Sequence, residues 1–278
     1  MRVDAHHHLW RYTPEEFGWI DDSMHRLRRD FLLPDLLRET AAAHIDATVA
    51  VQARQSLEET HWLLALAAES PLIQAVVGWA PIASAGFPAT LELLTRNPLL
   101  KGLRHVVQAE PPGFLDDPTF NRGIAALLPT SLLFDILIFA RQLPEAIRFV
   151  DRHPNQSFVL DHIAKPDIVH NDSADWNAHI RDLALRPNVT CKLSGLVTEA
   201  DWAIWSPTQL QPYFDTVLEA FTPSRLMFGS DWPVLTVACT YPRWLETVST
   251  WLAPLSADER TQILGLTAAR TYKLPTNH

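Results

Sequence analysis

The sequence predicts an α/β chain folded as a (β/α)8 TIM barrel, and three observations lead there. Eight apolar runs of strand length alternate with segments of helical period along the whole chain. At 278 residues, the chain has room for eight such units and little else. The first run ends in histidines, where a doubly wound open sheet would favour a glycine-rich phosphate turn. We read residues 1–278 as a single catalytic domain.

The expected strands are residues 3–8, 47–52, 73–79, 102–108, 132–138, 157–162, 188–194 and 225–231. They are short and rich in Val, Ile, Leu and Phe, as suits a parallel sheet covered by helices on its outer face. Helices fit between them. Pro34 suits the first turn of a helix reaching residue 43, and Ser56-Leu57-Glu58-Glu59 reads as a capping box opening a helix to residue 69. Pro88, Asp117-Pro118, Pro144 and Ser173 start the next four, which end near residues 96, 128, 152 and 185. Ser206-Pro207-Thr208-Gln209 opens residues 207–221, Thr240 caps a helix through Trp251, and Ser256-Ala257-Asp258-Glu259 opens a last helix to about Arg270. The longer irregular pieces, residues 9–33, 110–117, 162–172 and 198–205, mostly follow strands directly. In a barrel, those loops and the strand ends beneath them carry the active site.

Composition narrows the function. A net charge of −9 argues against nucleic acid or an anionic membrane surface as partner. No apolar run is long enough to span a bilayer, and no basic segment followed by an apolar one opens the chain, so a cytoplasmic location is expected. The two cysteines, Cys191 and Cys239, do not make a disulfide framework; Cys191 reads as a small buried hydrophobe.

Read in order, the strand ends carry His6 and His8, Gln52, Trp79, Arg104 and Gln108, Asp135, Asp161 and His162, Lys192 and Ser194, and Asp231. Few such groups belong in a core without partners. Alternation along the first strand places Asp4, His6 and His8 on one face and His7 on the other. Three histidines and an aspartate (His6, His8, His162, Asp231) make a single-zinc set with an open position for water, and the same four can also work without metal.

The motifs themselves resemble a known family. Asp4-Ala5-His6-His7-His8-Leu9-Trp10, Lys101-Gly102-Leu103-Arg104-His105, Leu160-Asp161-His162-Ile163-Ala164-Lys165-Pro166, Cys191-Lys192-Leu193-Ser194-Gly195 and Phe228-Gly229-Ser230-Asp231-Trp232-Pro233 fall in order, each at an expected strand end. Together they resemble the amidohydrolase superfamily. Within it, they are similar to the metal-poor branch of sugar-lactone hydrolases (the L-fuconolactonase and L-rhamnono-lactonase types) and 2-pyrone-4,6-dicarboxylate lactonase. The resemblance implies that His6 and His8 face a substrate carbonyl directly or through one divalent ion, that His162 completes the histidine set, that Asp231 is the general base and that Arg104 contacts substrate oxygens. Binuclear relatives carry a histidine on the fifth strand; residues 132–138 have none, so a bridged two-metal site is not expected.

The reaction expected is hydrolysis of a sugar (aldono) lactone to the aldonic acid. Arg104, Gln108 and Lys192 would supply polar arms to the substrate, and Trp10 and Trp232, with Trp202 and Trp205, stacking faces. A dicarboxylate pyrone lactone would call for several arginines; only Arg104 is well placed, which favours a neutral lactone. The rivals are a metal-dependent non-oxidative decarboxylase of the same superfamily, a glycosidase and a non-catalytic sugar-binding barrel. A glycosidase needs two facing carboxylates and would leave the histidines idle. The partner expected is a small sugar lactone, with pairing of the barrel into a homodimer.

Overall fold

The computed structural model describes residues 1–171 and 173–275. Eight parallel strands lie side by side in chain order: β1 (Val3–His7), β2 (Ala47–Val51), β3 (Ile73–Gly78), β4 (Leu100–His105), β5 (Leu133–Ile136), β6 (Phe158–Leu160), β7 (Val189–Leu193) and β8 (Leu226–Phe228). The segment following β8 returns to β1: His7 bridges Trp232 in parallel, Asp231 N donates to His6 O at 2.8 Å, and His8 N donates to Trp232 O at 2.7 Å. The (β/α)8 barrel is therefore the observed architecture. Crossover helices are α1 (Leu33–Ala42), α2 (Leu57–Glu69), α3 (Phe87–Leu94), α4 (Pro118–Ala125), α5 (Leu143–Arg152), α6 (Ala174–Ala184), α7 (Pro207–Phe221) and α8 (Tyr241–Leu252), followed by α9 (Ala257–Thr261) and α10 (Thr267–Thr271). Among the described residues, no helix is long and apolar enough to cross a membrane.

Most boundaries follow the local chemistry. Ser56 and Ser206 accept from Glu59 N and Gln209 N, and Asp117 caps α4 by accepting from Thr119 N and Phe120 N. Three details differ from expectation. The Ser56–Glu59 box is only half formed, because the Glu59 carboxylate turns back to accept from Ala53 N and Arg54 N at 3.0 and 2.7 Å, tying down the loop after β2. β4 starts at Leu100 and ends at His105, so Gln108 lies in a 3-10 turn (Val107–Ala109) beyond it. The last helix is split by a π turn (Gln262–Leu266), where Gly265 packs so closely on the chain start that a Cβ there would lie 2.1 Å from Met1 O.

The barrel interior is stratified. Val3, Ala5, Val49, Val77, Val159 and Met227 belong to one fully buried apolar cluster, a packed plug of small and branched side chains. Above it, the inward positions turn polar: Arg104, Asp135, Asp161 and Lys192 are all at most 3% exposed. Larger side chains on the outer strand faces (Phe134, Phe158, Leu193, Phe228) pack beneath the helices. Burial of both sheet faces explains why the strands read as continuous apolar runs.

Candidate functional site

The first strand does not alternate as simply as its sequence reads. The register of β1 against β2 shifts between Asp4 and His7. Asp4 lies on the outer side, where it accepts from Ser230 N (2.8 Å), Ser230 Oγ (2.6 Å) and Tyr241 Oη (2.9 Å) of α8, and also from His6 N (3.1 Å). Ala5 packs inward, and after this local bulge His6 and His8 also face inward. The expectation that Asp4 shares their face is therefore corrected, whereas His7 does point away, pairing with Thr48 Oγ1 at 3.0 Å.

Two glycines make room for the imidazoles. A Cβ on Gly229 would lie 2.9 Å from His6 Cβ, and one on Gly195 (φ 71°) would lie 2.7 Å from the His162 ring. His162 itself opens an unusual turn. Residues His162, Ile163, Ala164 and Lys165 have φ of 51, 48, 63 and 47°, four consecutive left-handed residues with no glycine among them. Each costs about 1–2 kcal/mol against a right-handed conformation. Bonds from Lys165 N to His162 O (2.8 Å) and from Trp176 Nε1 of α6 to Ile163 O (2.8 Å) hold the turn. Asp231 is also left-handed, at φ 58°. Strain of this kind persists where surrounding structure over-determines a functional position.

The four residues meet. Asp231 Oδ1 lies 3.8 Å from His6 Nε2, 3.4 Å from His8 Nε2 and 3.8 Å from His162 Nε2, and the His6 and His8 Nε2 atoms are 3.2 Å apart. His8 Nδ1 donates to Val51 O at 2.7 Å, which leaves the lone pair on Nε2. His162 Nδ1 is 2.8 Å from Ser194 Oγ. A zinc tetrahedron with metal–nitrogen bonds of about 2.05 Å has edges of roughly 3.3 Å. The His6–His8–Asp231 separations bracket that figure, so these atoms fit one divalent ion. A second grouping, His6–Asp161–His162, is geometrically compact as well. Its carboxylate is already held by Arg104 Nη1 (2.9 Å) and Lys192 Nζ (3.0 Å), which favours the first set.

Burial governs the charges here. It drives His162 down to about 4, against which the Asp231 and Asp161 carboxylates pull upward, and it holds His6 well below the usual imidazole range with Lys192 adding to the effect. Both rings are neutral at pH 7. Burial also pushes the Asp231 carboxyl up, but His162 and His8 outweigh it, so Asp231 stays ionised. Below His6 lies a second cluster. Lys192 Nζ reaches Asp135 Oδ2 at 2.6 Å and His6 Nδ1 at 3.2 Å, and Tyr272 Oη, just after α10, donates to Asp135 Oδ2 at 3.0 Å. Asp161 sits well below the ordinary range because Lys192, His6 and Arg104 overcome its burial; Asp135, buried beside it, is pushed up to about 6.

The remaining sequence-predicted site residues are scattered. Arg104 is beside the site, with its guanidinium committed to Asp161 and the Gln52 carbonyl. Gln108 keeps a buried, unpartnered Oε1. Lys192 is brought to the underside of His6, fully enclosed, so it does not reach out to a ligand. Trp10 and Trp232 are at most 2% exposed. They pack with Phe31, and Trp10 Nε1 is spent on Arg29 O (2.9 Å). Trp205 is likewise buried, bonded to Ala238 O. Trp202 instead lines a cleft of about 820 Å³ over the loops after β5, β6 and β7. Sequence reasoning noted Asp161 and Ser194 at their strand ends without giving them roles. Gly195, Gly229 and Tyr272 were not recognised; the glycines directly after Ser194 and Phe228 were the available signal for the first two.

Comparison with known proteins gives a consistent picture. Residues 3–274 match the amidohydrolase family. An L-fucono-1,5-lactonase of Burkholderia multivorans is 42% identical over 290 residues, covering 99% of this chain and 97% of that protein. An L-fucono-1,5-lactonase of Burkholderia ambifaria is 35% identical, covering 99% and 96%. The crystal structure of an amidohydrolase from Burkholderia multivorans with bound zinc superposes with a TM-score of 0.96 at 42% identity, covering 99% of this chain and all of that one.

Proposed function

The chain belongs to the amidohydrolase family, and on that premise we propose that it hydrolyses a sugar lactone to the corresponding aldonic acid. The observation that carries the reading is the convergence of three imidazole Nε2 atoms within 3.8 Å of one ionised carboxylate oxygen, Asp231 Oδ1. The kinship to two L-fucono-1,5-lactonases supports the substrate class.

Lactone opening needs a deprotonated water, a stabiliser for the oxyanion and a proton for the departing ring oxygen. Asp231 takes the proton of the attacking water as it bonds to the carbonyl carbon. The tetrahedral adduct then collapses with cleavage of the carbon–ring oxygen bond, and Asp231 returns the proton to the alkoxide. His162 is neutral, and its Nδ1 lies 2.8 Å from Ser194 Oγ; in the tautomer that accepts from that hydroxyl, Nε2–H points into the site, where it would donate to the carbonyl oxygen. A divalent ion held by His6, His8 and Asp231, with zinc the best match to the nitrogen-rich set, would supply Lewis-acid polarisation of that carbonyl. Arg104 keeps His6 and Asp161 in place from the side.

The test is acid release in a pH-stat from a panel of aldono-1,4- and 1,5-lactones, with a dicarboxylate pyrone lactone and aromatic acids as controls. The wild type should open the neutral lactones. Asp231→Asn should lower turnover by about 10³-fold or more while retaining its urea midpoint. Near wild-type turnover by that variant would refute the base assignment, and carbon dioxide release from the aromatic acids would instead support a decarboxylase.

A further inference from the structure

The loops that frame the 820 Å³ cleft contain one feature the hydrolytic chemistry leaves unused. Lys165 ends the left-handed turn that begins at His162, and its Nζ lies 3.4 Å from Glu199 Oε1 in the loop after β7. Both side chains line the cleft and are mostly shielded, at 17% and 19% exposure. Phe139, from the loop after β5, completes the group: Lys165 Nζ stands 5.6 Å from its ring centroid, and Arg141 lies over the same ring at 4.5 Å. The pair borders the reaction centre through the chain itself: Lys165 closes the turn that begins at His162, and Glu199 lies in the loop that follows Ser194, whose Oγ is 2.8 Å from His162 Nδ1.

An ion pair at such a partly exposed position contributes at most about 1 kcal/mol to stability. That is less than the cost of the consecutive left-handed residues that aim Lys165. The arrangement makes sense if it has work to do on a ligand. An ammonium beside a carboxylate, with an aromatic face next to both, is the chemistry that recognises adjacent hydroxyls on a carbon ring. One hydroxyl donates to the carboxylate, its neighbour accepts from the ammonium, and the ring's C–H face rests on the aromatic. The cleft wall sets Glu199, Asp167 and Asp175 against Lys165 and Arg141, so it offers a second substrate carboxylate no excess of lysine and arginine charge.

We propose that Lys165, Glu199 and Phe139 form a subsite for the hydroxyl-bearing part of a neutral lactone, away from its carbonyl, and that this subsite sets selectivity for polyhydroxylated over plain lactones. The proposal rests on the lactonase reading. Its test is the ratio of kcat/KM for a hydroxylated aldono-1,5-lactone to that for unsubstituted δ-valerolactone, in the wild type, Glu199→Gln and Lys165→Met, with urea midpoints checking the fold. We expect both variants to lower this ratio at least tenfold, chiefly through KM for the hydroxylated substrate. If the folded Glu199→Gln protein keeps the wild-type ratio, or loses activity equally on both lactones, the subsite is refuted while the lactonase reading stands. A wild type inactive on every lactone overturns both.

Discussion

On one side of the His6 ring, Lys192 and Arg104 face Asp135 and Asp161, so every buried carboxylate has a cation within 3.0 Å. On the other side, His8, His162 and Asp231 bring together imidazole nitrogens and a carboxylate at 3.4–3.8 Å with no lysine or arginine in the ring. Both groups are almost wholly buried. In the lower cluster two cations match two desolvated carboxylates, and we read it as structural. The upper one is the set that we propose takes a ligand from outside the chain. His6 touches both, so the rigid cluster fixes the orientation of a ring that the open cluster uses.

This contrast can be attacked directly. The largest effect should come from Lys192→Met, which strands Asp135 and Asp161 without their shared cation. We expect a loss of about 3–5 kcal/mol by urea unfolding, partly restored in Lys192→Met/Asp135→Asn. A neutral outcome would mean that the lower cluster is not the matched set its distances indicate.

Next in size is a pH signature of opposite sign in the two regions. Folded His162 titrates at about 4 against an ordinary 6.5, so in that window the unfolded chain binds more protons. Its stabilising contribution is complete above pH 6.5 and is lost as pH falls toward 4. Folded Asp135 titrates at about 6 against 3.8, so the folded chain binds more protons, and its contribution is complete below 3.8 and lost as pH rises through 6. In chelator-treated protein, the stability of His162→Gln should fall less steeply than wild type toward acid. Asp135→Asn should lose less than wild type toward neutral pH. Each difference should reach up to about 3 kcal/mol across pH 4–6.5. Urea midpoints at three pH values measure both, and deviations of the same sign would dissolve the contrast.

The smallest effect expected is Gly195→Ala. Its methyl must displace the His162 ring and adopt a left-handed conformation, costing about 1–2 kcal/mol of stability. Turnover should fall about tenfold while KM moves little, because only the open cluster is disturbed. Steady-state kinetics beside an unfolding curve separates the two effects.

How much of this could be read from residues alone depends on what sequence period encodes. Strand period locates the eight strands and their ends, and the motifs at those ends, with the family they resemble, bring His6, His8, His162 and Asp231 together. Period says nothing about depth along the barrel axis. Lys192 reads as a strand-end arm but lies within β7, one layer below the opening, enclosed by Asp135, Asp161 and His6. Trp10 and Trp232 read as stacking faces because they follow strands, yet Phe31 from the long first loop comes back to cover them. The bulge that turns Asp4 outward and the left-handed run at His162 have no local composition signal. Both are imposed by partners far away in the chain: Ser230 and Tyr241 in the first case, Trp176 and Gly195 in the second.

The bond from Ser230 N to Asp4 Oδ1 joins residues 226 positions apart, and the neighbouring bonds Asp231 N to His6 O and His8 N to Trp232 O span the same seam. Such contacts carry a high loop-closure cost. The proposed base and two of its imidazoles sit astride that seam, so an incompletely closed barrel holds its helices and most of its strands yet has no reaction centre. Turnover in this protein is thus a readout of ring closure itself.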